Sequence, residues 1–169
     1  MKSDKATPLL IVIAVLLIAN LAATAWVAVK VSSPSTHVSG EQPGEVLPDF
    51  ITKDVKKKIF NDFQAAYNSG SHDAFYNLFS DLAKAQIDEE ALGGTHDQLL
   101  SSLGKVEDGV YSHYNYVQRQ GNLKVFVLYY AVKLPDSLLG NAGEVKITIS
   151  VDDEEYGILG AHLFSNSQG

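Results

Sequence analysis

An uncharged apolar run near the start of the chain constrains its architecture more than any other feature. From Pro8 to Val29 the sequence reads PLLIVIAVLLIANLAATAWVAV, in which Asn20 and Thr24 are the clearly polar residues. A helix of about twenty apolar residues matches the thickness of the hydrocarbon core of a bilayer. We therefore predict that residues 1–30 form a short cytoplasmic stub and a transmembrane anchor, with residues 8–29 in the membrane.

The charges that flank this run predict its orientation. Lys2, Lys5 and the terminal amine precede it, whereas only Lys30 follows closely. Positive charge on the N-terminal side favours a cytoplasmic N-terminus. We therefore predict a single-pass protein of the cytoplasmic (inner) membrane with an extracytoplasmic C-terminal domain. The alternative is a cleaved signal peptide, because Ala23-Thr24-Ala25 resembles a cleavage site, and the domain would then be secreted or periplasmic. We favour the anchor because the run is long for a signal peptide.

The segment after the anchor differs sharply in composition. Residues 31–46, VSSPSTHVSGEQPGEV, are rich in Ser, Pro, Gly and Glu and show no apolar period. Such a segment cannot bury enough apolar surface to order itself, which predicts a flexible tether. Beyond Lys30, ten basic and nineteen acidic side chains give a formal charge of −9. This acidity disfavours nucleic acid as a partner, and the absence of cysteine excludes disulfides and thiolate metal sites.

Residues 47–169 read as one α+β domain whose first part is helical. Between residues 51 and 67 apolar side chains recur every three to four positions, which predicts an amphipathic helix. Asp49 or Thr52 can cap its first turn. Ser71 is placed to cap a second helix that carries its own apolar stripe.

A capping box predicts where a third helix begins. Thr95 and Gln98 have the spacing at which a threonine and a glutamine satisfy each other's free backbone donors. Gly93 and Gly94 directly precede this box and predict a break in the chain. Gly104 is well placed to end the helix.

After Lys105 the apolar period changes from helical to alternating, which indicates strands. The third of these runs is apolar on one face and polar on the other, so we expect it to be half-buried. Turn residues separate four predicted strands: Val110–Arg119, Leu123–Leu134, Glu144–Val151 and Tyr156–Phe164.

The second predicted strand is apolar on both faces. One face carries Val125, Val127, Tyr129 and Ala131, and the other carries Phe126, Leu128, Tyr130 and Val132. A strand of this kind requires cover on both sides. The helices can cover one side, and a second subunit or a strongly coiled sheet could cover the other. We therefore take the face with Val125, Val127, Tyr129 and Ala131 as a candidate interface.

Three stretches of the domain resemble a known superfamily. They are IFNDFQAAYNSGSHDAFYNLFS at 59–80, LLSSLGKV at 99–106 and DDEEYGILGAHLF at 152–164. In this order they resemble the NTF2-like (cystatin-like α+β) superfamily, and in particular its small exported bacterial domains of unknown function. The resemblance implies helices packed on a curved four-stranded antiparallel sheet. The superfamily includes isomerases, dehydratases and non-catalytic binding modules, so it implies no single function.

The sequence contains no recognisable catalytic constellation. We predict no catalytic residue, no metal site and no cofactor, since no nucleotide-binding, hydrolase or metalloprotease motif is present. Tyr111, His113, Tyr130 and His162 are the residues we expect to line a pocket, if one exists between sheet and helices. We expect His113 to share a face with Tyr111 and Val117, because side chains alternate along a strand.

The function predicted from these observations is non-enzymatic. We expect a membrane-anchored extracytoplasmic module for protein–protein binding or assembly, with a protein partner or a second copy of the chain. The alternative is a small-ligand pocket domain, such as a lyase or isomerase of the NTF2-like type.

Overall fold

A computed structural model describes residues 45–166 of the chain. The predicted anchor, its alternative as a signal peptide and all but the last two residues of the predicted tether lie outside the described residues. Within 45–166, no helix combines the length and apolarity needed to cross a bilayer.

The described residues form four helices followed by a four-stranded sheet. The sheet is antiparallel throughout and its strands are adjacent in chain order, β1-β2-β3-β4. The predicted α+β architecture is therefore confirmed for this part of the chain. The elements are α1 (Lys53–Asn68), α2 (His72–Asn77), α3 (Asp81–Lys84), α4 (Glu89–Leu103), β1 (Glu107–Gln120), β2 (Leu123–Lys133), β3 (Ala142–Asp152) and β4 (Glu155–Ser165).

Helix α1 supplies much of the core. The Thr52 side chain accepts a hydrogen bond from the Val55 amide, so it caps the helix as one of the two predicted candidates. One face of α1 is buried against the sheet, and its members are Ile59, Phe60, Phe63 and Tyr67. At the C-terminal end of α1, the Asn68 side-chain amide exchanges two hydrogen bonds with the Val106 backbone. This pairing fixes the chain where it enters β1.

Helix α4 begins earlier than the predicted third helix. It begins seven residues earlier than the capping box, after Asp88, whose side chain accepts from the Ala91 amide. Gly93 and Gly94 lie inside the helix and do not break it, and the Thr95 hydroxyl donates to the Ala91 carbonyl. A Cβ at position 93 would lie 2.8 Å from Nδ1 of His72. The glycine is therefore explained by the close approach of α2.

Gly94 offers a direct test of this explanation. It is exposed inside α4, and a Cβ there would meet nothing within 4 Å. We expect Gly94→Ala to raise the free energy of unfolding by about 0.5–1 kcal/mol, because alanine has the higher helix propensity. Gly93→Ala should bring no such gain, because its methyl group displaces His72. Urea titration of the two variants compares them, and equal stabilisation would refute a packing role for Gly93.

The core lies between the helices and one face of the sheet. On β3 the predicted alternation is confirmed, since Val145, Ile147, Ile149 and Val151 are all at most 2% exposed. The same sheet face carries Phe126, Leu128 and Tyr130 of β2. We call this helix-covered side the inner face and the opposite side the outer face.

Irregularities in β1 decide which side chains reach each face. The pairing of β1 with β2 shifts at three places, one of which lies between Tyr111 and His113. There, Tyr111 pairs with Tyr130 while His113 pairs with Tyr129, so β1 carries one extra residue. An extra residue of this kind reverses the side to which the following side chains point.

Candidate functional site

Two of the predicted pocket residues lie on the inner face. Tyr130 is 1% exposed and its hydroxyl donates to the Lys56 carbonyl at 2.9 Å. Tyr111 is half-buried, packs edge-on against Tyr130 and carries the Lys56 ammonium over its ring. Burial raises the pKa of both hydroxyls, with Tyr114 adding to the effect on Tyr111 and Tyr111 and Tyr156 adding to that on Tyr130. Both rings therefore act as neutral packing groups at physiological pH.

The other two predicted pocket residues lie on the outer face. The shift between Tyr111 and His113 places the His113 ring flat against Tyr129, with 4.2 Å between ring centroids. His162 of β4 is the cross-strand partner of Lys146 of β3, and both lie on the outer face. The expectation that His113 shares a face with Tyr111 is therefore wrong, and the four residues cannot line one pocket.

Aromatic side chains occupy the space between helices and sheet in which the alternative hypothesis places a ligand pocket. Phe60, Phe63, Phe75 and Phe79 are all at most 5% exposed and belong to one core cluster with the inner face. Their rings contact one another and Tyr130 at centroid distances of 5.2–6.5 Å. Packing of this density leaves the interior as a hydrophobic core.

The outer face is built from rows of side chains that cross all four strands. Cross-strand partners share a face, so the strand register defines each row. The row nearest the middle contains His113, Tyr129, Lys146 and His162. The rows on either side of it are Val110, Ala131, Glu144 and Phe164, and Asn115, Val127, Thr148 and Gly160.

Lys146 is the centre of this face. Its ammonium lies 5.3 Å from the centroid of Tyr129 and 4.9 Å from that of Phe164, and it is 3.4 Å from the Glu144 carboxylate. The Asn115 amide donates to the Tyr129 hydroxyl at 3.0 Å. The outcome is an aromatic surface around one ion pair, with side chains already held in place by their neighbours.

His162 is a titratable group that is partly enclosed on this face. It is half-buried and stacks against Phe164, with 6.3 Å between ring centroids. Burial lowers the pKa of His162, and the charge of Lys146 lowers it further. The imidazole of His162 is therefore neutral at physiological pH and adds no charge to the three rows.

The predicted interface residues all lie on the outer face. Val125 is buried, Val127 and Tyr129 are half-buried, and Ala131 is exposed. None of the four belongs to the core cluster that the helices form with the inner face. At the row of Val125, Ser80 at the start of α3 lies close to Gly157 of β4. Lys146 and Phe164 complete the surface but were not among the predicted residues. The alternation of β3 could have indicated Lys146, which falls on the predicted polar face of that strand, whereas no face was predicted for Phe164.

The described residues also bear on chemistry at this face. No group of three or more His, Asp or Glu side chains within 45–166 is arranged to hold a metal ion. His113 and His162 lie on opposite edge strands, separated by Tyr129 and Lys146. The outer face can therefore contribute stacking, cation–π and apolar contacts.

Comparison with known proteins gives similarity to solved structures only. No protein-family model and no curated protein matches the chain. A domain of unknown function with a cystatin-like fold from Nostoc punctiforme is 16% identical, with 66% of this chain and 75% of that chain covered and a TM-score of 0.40. An uncharacterised cystatin-fold protein from Novosphingobium aromaticivorans is 12% identical, with 65% and 97% covered and a TM-score of 0.37.

A third solved structure is a longer protein. Bd1075 of Bdellovibrio bacteriovorus is 10% identical over 66% of this chain, with a TM-score of 0.39. The match covers 40% of the Bdellovibrio chain. The structures from Nostoc punctiforme and Novosphingobium aromaticivorans are described as having a cystatin-like or cystatin fold. The same fold name belongs to the NTF2-like (cystatin-like α+β) superfamily that the sequence resembles.

Proposed function

We propose that the chain is a membrane-anchored extracytoplasmic module that acts without catalysis and assembles with a second copy of itself through the outer face of the sheet. Residues 8–29 would hold it in the cytoplasmic membrane. The observation that carries the proposal is the outer face, where the aromatic and apolar side chains of the three rows do not belong to the core cluster that the helices cover. Faces of this composition resemble the cores of protein interfaces.

The charge distribution supports a second copy as the occupant. The part of the chain beyond Lys30 has a formal charge of −9, so two copies repel each other over most of their surface. The three rows of the outer face contain one acidic and one basic side chain, Glu144 and Lys146. Two copies can therefore approach at this face without net repulsion.

The same two residues make the face self-complementary. Glu144 and Lys146 are two positions apart on β3 and point to the same side. A twofold axis beside them brings Lys146 of each copy toward Glu144 of the other, as an interface between identical surfaces requires. Tyr129 and Phe164 flank the pair and supply large rigid contact area, which is characteristic of residues that dominate binding energy.

The alternative, a small-ligand lyase or isomerase, receives less support. It requires an open hollow between helices and sheet, and Phe63, Phe75 and Phe79 occupy that space. Tyr130, the most buried of the predicted pocket residues, donates its hydroxyl to the backbone of α1. Catalysis by Tyr130 would require the core to open.

Single cysteines can test the dimer directly, because the chain has none of its own. We expect full-length chain with Thr148→Cys, on the outer face, to be captured as a covalent dimer in membranes by a short bis-maleimide. Leu82→Cys is the matched control, since Leu82 is 49% exposed but lies on helix α3. Adding Val127→Glu to Thr148→Cys should weaken association about tenfold, because two like charges then face each other.

The controls separate this interface from other ways in which the chains could meet. Association through the membrane segment alone would crosslink both cysteine variants to the same extent and would not respond to Val127→Glu. Absence of a dimer with Thr148→Cys, while the chain remains folded, would refute the outer face as the interface. Leu82→Glu provides the charge-matched control for Val127→Glu.

A further inference from the structure

The first described residues form an ordered strap at one end of the sheet. We define the strap as residues 45–51. Leu47 and Ile51 are buried in the core cluster, and the Leu47 amide donates to the Tyr114 hydroxyl at 3.3 Å. The Ile51 amide donates to the Pro48 carbonyl at 2.9 Å. The strap therefore has a fixed path, although Glu45 and Val46 were predicted to belong to a flexible tether.

Glu45 places its carboxylate on two basic side chains. Its Oε1 atom is 2.7 Å from Lys124 Nζ and 3.7 Å from Arg119 Nη1. Arg119 and Lys124 are register partners at the hairpin between β1 and β2, so they lie side by side on one face. The Lys124 hydrogen bond, with the charges of Lys124 and Arg119, holds the pKa of Glu45 below its usual value.

Arg119 is already oriented for a ligand. Its Nε donates to the Gly121 carbonyl at 2.8 Å, which fixes the plane of the guanidinium. The terminal nitrogens then remain to meet a carboxylate, for which the planar guanidinium is well suited. Arg119 is also the single arginine of the chain, on a domain dominated by acidic side chains.

A shallow cleft adjoins this pair. Its volume is about 330 Å³, which is at the lower end of the range for small-ligand sites. Its walls combine the two basic groups with an amide, a carboxylate and apolar surface. The lining residues are Pro48, Arg119, Asn122, Lys124, Val151 and Asp153.

We propose that this hairpin cleft is a carboxylate-binding site, and that Glu45 occupies its basic pair as an intramolecular competitor. The chain's own carboxylate shows which chemistry the pair accepts. Asp153 also lines the cleft and repels a polyanion, so the site favours a ligand with one carboxylate, such as a glutamate side chain of a peptide. The site is separate from the outer face and does not depend on the dimer.

The proposal predicts that removing Glu45 strengthens binding. A ligand must displace the carboxylate of Glu45. The apparent affinity of the protein for the ligand is therefore the intrinsic affinity multiplied by the fraction of molecules in which the basic pair is free. If that fraction is about one tenth, Glu45→Gln raises the affinity about tenfold. An ordinary surface ion pair would give no gain, because it competes with nothing.

The single arginine provides the measurement. Full-length chain labelled with ¹⁵N-arginine gives one side-chain Nε signal in the NMR spectrum. It is titrated with two probes, N-acetylglutamate amide and the acetylated, amidated peptide QPGEVLP, which repeats residues 42–48. The same peptide with glutamine in place of glutamate is the probe control. Glu144→Gln is the matched protein control, since Glu144 pairs with Lys146 on the outer face.

We expect the signal of Glu45→Gln to shift at about tenfold lower probe concentration than that of the wild type, and Glu144→Gln to behave as the wild type. Lys124→Met in the Glu45→Gln background should abolish the shift. A response to both probes supports recognition of any carboxylate, and a response to the peptide alone supports a peptide ligand. No shift in Glu45→Gln with either probe, or the same shift with the glutamine peptide, would overturn the proposal.

Discussion

Replacing Gly109 with alanine is expected to lower the free energy of unfolding by about 3 kcal/mol, because the Phe60 ring lies directly over this glycine. A Cβ at position 109 would lie 2.1–2.3 Å from three ring carbons of Phe60. The ring cannot simply move aside, because Phe60 is 3% exposed and also contacts Phe63 and Tyr130. The substitution therefore displaces a central aromatic side chain of the core.

Gly160→Ala is the matched control for this experiment. Gly160 is also a strand glycine, but it lies on the outer face and a Cβ there would meet nothing within 4 Å. We expect it to change the stability by no more than about 0.5 kcal/mol in urea titrations. The double variant Phe60→Leu with Gly109→Ala should recover part of the loss. A change below 1 kcal/mol for Gly109→Ala alone would contradict the packing described.

The second large effect is expected at His96. The imidazole is fully buried, stacks on Phe75 at 4.4 Å and donates from Nε2 to the Tyr67 carbonyl at 2.8 Å. His96→Ala removes this ring from the junction of three helices and leaves a cavity. We expect a loss of about 3–5 kcal/mol, as for other large buried rings replaced by alanine.

Two further substitutions separate packing from hydrogen bonding at this position. His96→Phe keeps a ring against Phe75 but loses the bond to Tyr67, and we expect it to cost about 1–3 kcal/mol. His72→Ala removes an exposed histidine whose partner is Asp97, so its effect should stay below about 1 kcal/mol. Thermal unfolding of the three variants measures these differences. Equal effects for His96→Ala and His72→Ala would refute the structural role of His96.

His96 also shows where local reasoning fails. From the sequence it appears beside a capping box at a helix start, where a histidine is normally half-exposed. In the structure it lies in the middle of α4 and points into the core. The burial of His96 depends on α1 and α2, which are distant in sequence. The pattern of polar residues along α4 does not show that this histidine is buried.

The candidate site residues also form two groups, those whose position could be predicted from the sequence and those whose position could not. The interface residues Val125, Val127, Tyr129 and Ala131 could be predicted because a strand that is apolar on both sides needs two covers. The pocket residues could not be assigned correctly, because one extra residue in β1 moves His113 to the outer face. Bulges of this kind depend on the partner strand, and Ser112 carries no signal that marks one.

By itself, the sequence determined that helices precede strands, the position of the strands and the two apolar faces of β2, whereas the separate short helix α3 was not predicted. These features depend on the period of apolar residues, which is a local property of the chain. The tertiary structure decided that Gly93 and Gly109 lie under rings, that His96 is buried and that Glu45 meets Lys124. Each of these is a contact between residues far apart in sequence, and such contacts exist only once helices and sheet have packed together.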